Sequence, residues 1–332
     1  MATPGTLRGR VAVVGIGETP YTKHGRSPDP EFVLVLKAIL AACADAGLDP
    51  RRIDGFASYA NERNDPARLA AALGIHQLRS ATMQWGGGGG GCAAAVANGA
   101  AAIAAGLAYC VVVYRGLAQG QFGRFGQQVG DNAVAGEMAY QTPYGVIAPP
   151  QKFTLRITRY LHEHGIGPEA LRAIALASYH HAQANPRAVM HGKPLDAARY
   201  DAARWIIEPL RLYDCCMEND GAAAVLLVAA ERARDFAQPP AYLLGAAAGG
   251  EHRSAAQPHN APAYASANYR GIAQNLYAMA GLAFLVLALT SSLLLALSMV
   301  VQEWVAVGIA GTIGVVFLLC WLVLPLRRRR TY

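Results

Sequence analysis

Residues 81–106 read ATMQWGGGGGGCAAAVANGAAAIAAG, and the fold hangs on this stretch. Ala81–Trp85 is expected to form a buried strand, Gly86, Gly87, Gly88, Gly89, Gly90 and Gly91 a loop without side chains, and the alanine-rich run a helix that begins at or just after Cys92. A loop of glycines lets consecutive amides turn inward, and the helix N-terminus behind it adds partial positive charge. An oxyanion or phosphate suits such a place. A helix dipole also lowers a thiol pKa, which would make Cys92 a nucleophile. The competing reading is that the glycines only permit tight helix-on-sheet packing and that Cys92 is a small buried hydrophobe.

On either side, β-branched runs alternate with helical periodicity. Arg10–Gly15 reads as a strand, and Asp29-Pro30 as the cap and first residue of a helix whose apolar residues are Phe32, Val35, Leu36, Ile39, Leu40 and Cys43, closed by Gly47. Ile53–Tyr59 and Tyr109–Tyr114 read as further strands, with a short helix at Ala67–Leu73 between them. This alternation predicts an α/β sheet with parallel pairing. From Arg115 to Pro150 the periodicity is lost in a run rich in Gly, Gln and aromatics, as expected of a lid or interface. Helices at Gln151–His164 and Pro168–Ala184 follow, then strands at Arg204–Tyr213, Ala222–Ala229 and Tyr242–Ala248. His180 and His181 lack metal-pair spacing and read as solvated or packed; no metal site is expected.

The chain has 332 residues, 53% of them hydrophobic and 15% charged, and a net charge of +7. The apolar excess is concentrated at the C-terminus, where 282–301 and 304–326 carry no charge. Two spans joined by Gln302-Glu303-Trp304 are therefore expected, each long enough for the hydrocarbon core. Arg327–Arg330 after the second span predict a multi-pass membrane protein with both ends cytoplasmic and membrane lipid as a partner. Without those arginines and Glu303 the charge falls to about +4. Its scattered Lys and Arg do not support nucleic-acid binding. Six cysteines without CxxC or zinc spacing fit a reduced compartment.

Several stretches together resemble the thiolase superfamily, in the branch of sterol-carrier-protein-X-type thiolases, lipid-transfer proteins and steroid side-chain aldolases. They are VAVVGIGETPY (11–21), the glycines before Cys92, CVVVYRG (110–116) with FGRFG (122–126), PLRLYDCCMENDGAAAVLLVAAERARDF (209–236) and ANYRGIAQNLYAMAGL (267–282). The resemblance covers residues 8–282 and implies a thiolase-like α/β fold, its first half and the start of its second, with a lid and loop region at 115–200. Residues 283–332 would be the membrane hairpin and basic tail.

The resemblance further implies coenzyme A thioesters of acyl or steroid type as substrates, no bound cofactor, a homodimer through the edge of the first sheet, and an OB-fold zinc-ribbon partner protein. The family's nucleophile position falls on Gly89, three residues before Cys92, and the family's C-terminal catalytic loops do not follow Leu282. Steroid side-chain aldolases also lack that cysteine. Two activities remain, an acyltransferase with Cys92 as nucleophile or a retro-aldolase whose glycine amides hold the enolate. The alternative is a catalytically inactive subunit that binds acyl-CoA or scaffolds a partner. In the DCCMENDG stretch, Cys215, Cys216, Asn219 and Asp220 read as turn and packing residues ahead of a buried strand.

Overall fold

A computed structural model describes residues 7–60, 62–84, 91–122, 139–140 and 142–247. The chain divides into two units, Met1–Ala273 and Gln274–Tyr332, and every described residue belongs to the first.

One mixed sheet organises that unit. Its strands are β1 (Val11–Glu18), β2 (Thr22–Lys23), β3 (Gly55–Tyr59), β4 (Ser80–Gln84), β5 (Cys110–Leu117), β8 (Asn219–Ala229) and β9 (Ala241–Tyr242). The order is β4-β3-β5-β8-β1-β9, with β2 paired to the start of β8. Strand β3 is parallel to both β4 and β5, as the βαβ alternation predicts. Strand β8 runs antiparallel between β5 and β1 and corrects the expectation of parallel pairing throughout. The reason lies in sequence distance: the apolar run of β8 needs a slot covered on both faces, and the gap between β1 and β5 supplies it from a hundred residues away.

Both faces of the sheet are covered. Helices α1 (Glu31–Ala46) and α2 (Pro66–Leu73) lie on one, over Val14, Phe56, Val112 and Leu226; α3 (Gly91–Ala104) lies on the other, over Val111, Val113 and Leu227. Burial of these Val, Leu and Phe side chains contributes about 1.5–3 kcal/mol each.

The stripe that α1 buries differs from the expected one. Leu34, Val35, Ala38, Ile39, Ala42, Cys43 and Ala46 face the sheet, while Leu40 is 45% exposed. Glycines in β1 decide this, because a Cβ on Gly17 would stand 2.2 Å from the Ala38 carbonyl oxygen. Helix and strand backbones come close enough that only the alanine face fits between them. The helix also starts one residue late, with Pro30 at the cap. Asp29 instead accepts a hydrogen bond from Lys37 Nζ at 2.5 Å, and Gln121 Oε1 takes the orphan Glu31 N–H at 3.0 Å.

Strand β4 is the outer strand on its side and alternates between half-buried and exposed residues, which corrects the buried strand expected there. Asn219 and Asp220 belong to β8 itself and form no turn, because β2 pairs with them and carries the ladder to the strand's first residue. Within the expected loop region, β5 continues to Leu117 and α4 spans Gln119–Phe122; residues 123–138 lie outside the description. Helices α5 (Pro149–His164), α6 (Glu169–Gln183) and α7 (Ala197–Asp201) then lead to a small hairpin of β6 (Trp205–Ile207) and β7 (Leu210–Arg211).

The expected membrane spans at 282–301 and 304–326 lie outside the described residues. Among the described residues no helix is long and apolar enough to cross a membrane. The longest, α1 and α5, have 16 residues each; a span needs about 20. The multi-pass membrane location is corrected on that finding.

Candidate functional site

Strands β3 and β5 point the same way, so Tyr59, the last residue of β3, and Gly116-Leu117, the end of β5, come to one edge of the sheet. In open α/β sheets the crevice beyond such carboxyl ends is where ligands bind. Gly91 opens α3 at this edge and Cys92 follows, with its thiol exposed. Gly86–Gly90, including Gly89, lie outside the described residues.

Tyr59 lies directly against the helix start. A Cβ on Gly91 would fall 2.6 Å from the Tyr59 Cδ2, so only glycine fits against the ring. On the β5 side the Arg115 guanidinium lies 5.3 Å from the ring centroid. Burial first, and then the neighbouring Cys92, pushes the Tyr59 hydroxyl pKa up. The residue after it, Ala60, has φ +57°, a left-handed conformation that side chains with a Cβ rarely adopt. Its N–H donates to the Gln84 carbonyl at 2.9 Å, which ties the end of β3 to the end of β4.

Two buried carboxylates hold the loop behind Tyr59. Glu62 accepts from Arg115 Nη1 at 3.2 Å and from the N–H groups of Arg63, Asn64 and Gly116. Glu31, 2% exposed, accepts from Arg63 Nη2 at 2.7 Å, from Asn64 Nδ2 at 3.3 Å and from the Ala118 N–H at 2.8 Å. Each charge is therefore paired and hydrogen-bonded, the condition for keeping it in the interior. Tyr114 joins the same loop by donating its hydroxyl to the Asn64 carbonyl at 2.6 Å. Sequence reasoning passed over Glu31, Glu62, Tyr59 and Arg115. The one available signal was the polar run NERND (61–65), breaking off directly after a strand.

Past the end of β5 lies a cavity of about 790 Å³. Phe153, Tyr179, Leu210 and Tyr213 give it apolar walls, Lys23, His24 and Arg204 bring cationic or titratable groups, and Asp214 and Glu218 bring carboxylates. Cys215 and Cys216 also line it, both as thiols; Cys215 is half-buried and its pKa is pushed up, mainly by burial. Tyr59 and Cys92 are not on its wall, and β5 links the two places, with Arg115 beside Tyr59 and Gln119 on the cavity. The volume suits a ligand of cofactor size.

Asp220 braces this wall. Its carboxylate, 1% exposed, accepts the N–H groups of Gly25 at 2.7 Å, Ser27 at 3.4 Å and Gln119 at 2.9 Å. Behind the wall, Tyr200 donates its hydroxyl to Asp214, and burial and that carboxylate push its pKa up. Cys43 and Cys110 are core thiols, raised by burial to about 11 and about 12. His180 and His181 stand on α6 with ring centroids 5.6 Å apart. Among the described residues no three His, Cys, Asp or Glu side chains are grouped to hold a metal ion.

A steroid side-chain-cleaving aldolase of Thermomonospora curvata is 36% identical over 289 residues, covering 83% of this chain and 72% of the relative. The chain belongs to the thiolase-like family of steroid side-chain aldolases. A 17-hydroxy-3-oxo-4-pregnene-20-carboxyl-CoA lyase of Mycobacterium tuberculosis is 38% identical over 250 residues, 73% of this chain and 64% of that relative. The chain thus spans less than three quarters of either aldolase-family relative. The solved Ltp2-ChsH2(DUF35) aldolase matches with a TM-score of 0.75 at 33% identity, over 83% of this chain and 71% of that one. A monomeric SCP2-thiolase-like protein of Mycobacterium smegmatis, at 18% identity and a TM-score of 0.57, shares the fold. Residues 252–325 match a family of unknown function, DUF6328.

Proposed function

We propose that this chain binds a coenzyme A thioester of steroid type and takes part in retro-aldol cleavage of its side chain. The supporting observation is the cavity of about 790 Å³ at the carboxyl edge of β5, in a chain similar to aldolases and lyases of that substrate class. Its apolar walls suit an acyl or pantetheine chain, and Lys23, His24 and Arg204, which share the lining with Asp214 and Glu218, are the groups that would meet anionic phosphates.

In the reaction a base takes the β-hydroxyl proton, the carbon–carbon bond breaks, and its electron pair becomes the enolate of the thioester. Protonation at the α-carbon then releases the shortened thioester and a ketone. The chain's part is to hold the enolate oxygen, with the amides of Gly86–Gly91 and the N-terminus of α3 as donors. The base comes from elsewhere in the assembly, and a DUF35 protein, such as the similar aldolase carries, is the proposed partner. A second copy pairing along the outer strand β4 is the proposed dimer.

The test mixes the full chain, with and without a DUF35 partner, with 17-hydroxy-3-oxo-4-pregnene-20-carboxyl-CoA and with propionyl-CoA, and follows binding and ketone release. Cleavage supports the aldolase reading. Binding without cleavage in the presence of the partner supports the non-catalytic thioester-binding subunit, and absence of binding overturns both. An acyl adduct on Cys92, lost in Cys92→Ala, would place the chain with the acyltransferases instead.

A further inference from the structure

We propose that Cys216 is a modification site at which coenzyme A, delivered as its disulfide, becomes reversibly bonded to the wall of the cavity and closes it to thioesters. The inference rests on the thioester-binding reading above and deepens it by naming a second ligand of the same cavity.

Two adjacent thiols, Cys215 and Cys216, border the cavity of about 790 Å³, and Cys92 does not. They belong to a short strap between the turn Leu212–Asp214 and β8. Both ends of the strap are tied. The Cys215 N–H donates to the Leu212 carbonyl at 3.4 Å, and the Glu218 carbonyl accepts from the His24 N–H at 3.1 Å. Cys216 is exposed as well as cavity-lining, so a reagent seated in the cavity can reach its sulfur. The acid beside the pair is engaged elsewhere, since the Asp214 carboxylate accepts the Tyr200 hydroxyl at 2.8 Å and the Arg211 N–H at 2.7 Å. Lys23 and Arg204 balance Asp214 and Glu218 on this wall, so its net charge does not repel a phosphate-bearing reagent.

Backbone direction decides which disulfide forms. Cys215 has φ −98° and ψ 143°, an extended conformation that sends adjacent side chains to opposite sides. A disulfide needs its two Cβ atoms about 3.5–4.5 Å apart. The pair therefore does not close on itself, and a mixed disulfide on one thiol persists. Cys216 is the thiol that reacts, because Cys215 is half-buried and burial, ahead of the neighbouring Cys216 and Asp214, holds it protonated. In the exchange the Cys216 thiol gives its proton to solvent, and the thiolate attacks one sulfur of coenzyme A disulfide. A bond forms between Cys216 Sγ and that sulfur, the original S–S bond breaks, and the second coenzyme A leaves as a thiolate that takes up a proton. Cys216 is oxidised and coenzyme A disulfide is reduced. A free thiol reverses the step.

The test incubates the full chain with coenzyme A disulfide or with 2-hydroxyethyl disulfide and follows adducts on Cys216 and Cys92 by peptide mass spectrometry. Both thiols are exposed, so Cys92 serves as the internal reference. Seating in the cavity makes the exchange intramolecular, at an effective concentration in the millimolar range. With reagent at about 0.1 mM, the ratio of Cys216 to Cys92 adduct should therefore be about tenfold higher for coenzyme A disulfide than for 2-hydroxyethyl disulfide. Excess propionyl-CoA should abolish that preference, and Cys215→Ser should keep it. The adduct should lower propionyl-CoA affinity until dithiothreitol removes it. Equal ratios with both disulfides, in a chain that binds propionyl-CoA, overturn the inference and leave the thioester reading intact. Loss of two hydrogens from the peptide carrying Cys215 and Cys216, in place of added coenzyme A, overturns it as well. No binding of propionyl-CoA to the unmodified chain overturns the thioester reading and this inference with it.

Discussion

The Asp220 carboxylate accepts the backbone N–H of Gln119 at 2.9 Å across 101 residues of sequence. That one bond joins the first residue of β8's buried run to the chain just past β5, and through Gly25 and Ser27 to the loop before α1. Two segments, the loop before α1 and the chain just past β5, therefore depend on one side chain.

Asp220→Ala leaves three N–H groups without their acceptor in a closed environment, and should cost about 3 kcal/mol in urea unfolding. Asp220→Asn keeps one acceptor oxygen and should cost less. Both should weaken thioester affinity, since Lys23, His24 and Gln119 line the cavity. Unchanged unfolding midpoints in both variants would show that the loops find other acceptors.

Glu31→Ala strands the Arg63 guanidinium and the Ala118 N–H and leaves Asn64 Nδ2 with its bond to Glu62 alone. The Arg63 side chain is 35% exposed and water takes up part of its loss, so the cost is expected to be about 1–3 kcal/mol, from the buried donors left unmatched. Glu31→Gln should cost less, having kept its size and an acceptor. Differential scanning calorimetry of the two variants would give the ranking.

Gly17→Ala should be more damaging than most surface substitutions, because the new methyl meets the Ala38 carbonyl and cannot be relieved by a rotamer change. Overpacking of about 1–3 kcal/mol is the usual scale, and contact with rigid backbone puts this case at the upper end. Recovery of soluble protein and its thermal midpoint are the readouts.

Iodoacetamide at pH 8 should label Cys92 and Cys216, which are exposed, well before Cys43 and Cys110, which are buried. Peptide mass spectrometry at successive times gives the order. Early labelling of Cys110 would mean that β5 opens locally, because that thiol lies in the sheet with its pKa raised to about 12.

Alkaline pH should destabilise the fold through the same thiols. Cys43 and Cys110 titrate at 9.0 when free and at about 11 and about 12 in the fold, so above pH 9 the unfolded chain releases protons that the folded chain retains. Fewer protons bound in the unfolded state means that stability falls as pH rises. The contribution is present in full below pH 9 and is lost between there and pH 11–12. A Cys43→Ala/Cys110→Ala variant should show a flatter decline in unfolding free energy over that range.

Local chemistry made much of the unit legible in the sequence. The β-branched runs of β1 and β5 and the glycine stop at Gly47 lie where composition placed them, and Asp65 with Pro66 marks the start of α2 by a side-chain cap to the Ala67 N–H. The end of β4 and the start of α3 on either side of the glycine run are also readable, because a six-glycine run favours neither a strand nor a helix interior. Motifs distributed along the chain pointed to the thiolase-like family for the same reason: each is a local solution to a local packing problem.

Long-range pairing belonged to the tertiary structure alone. No periodicity in β8 announces that it enters antiparallel between β1 and β5, since a strand buried on both faces reads the same in either direction. Nor could spacing show that Glu31, Glu62 and Asp220, three acids in unremarkable polar runs, would turn inward; a carboxylate enters the interior only when donors from distant segments converge on it. Tyr59 acquires its place against Gly91 in the same way. Neighbours in sequence determined each element, and partners brought together by the sheet decided what stands at its edge.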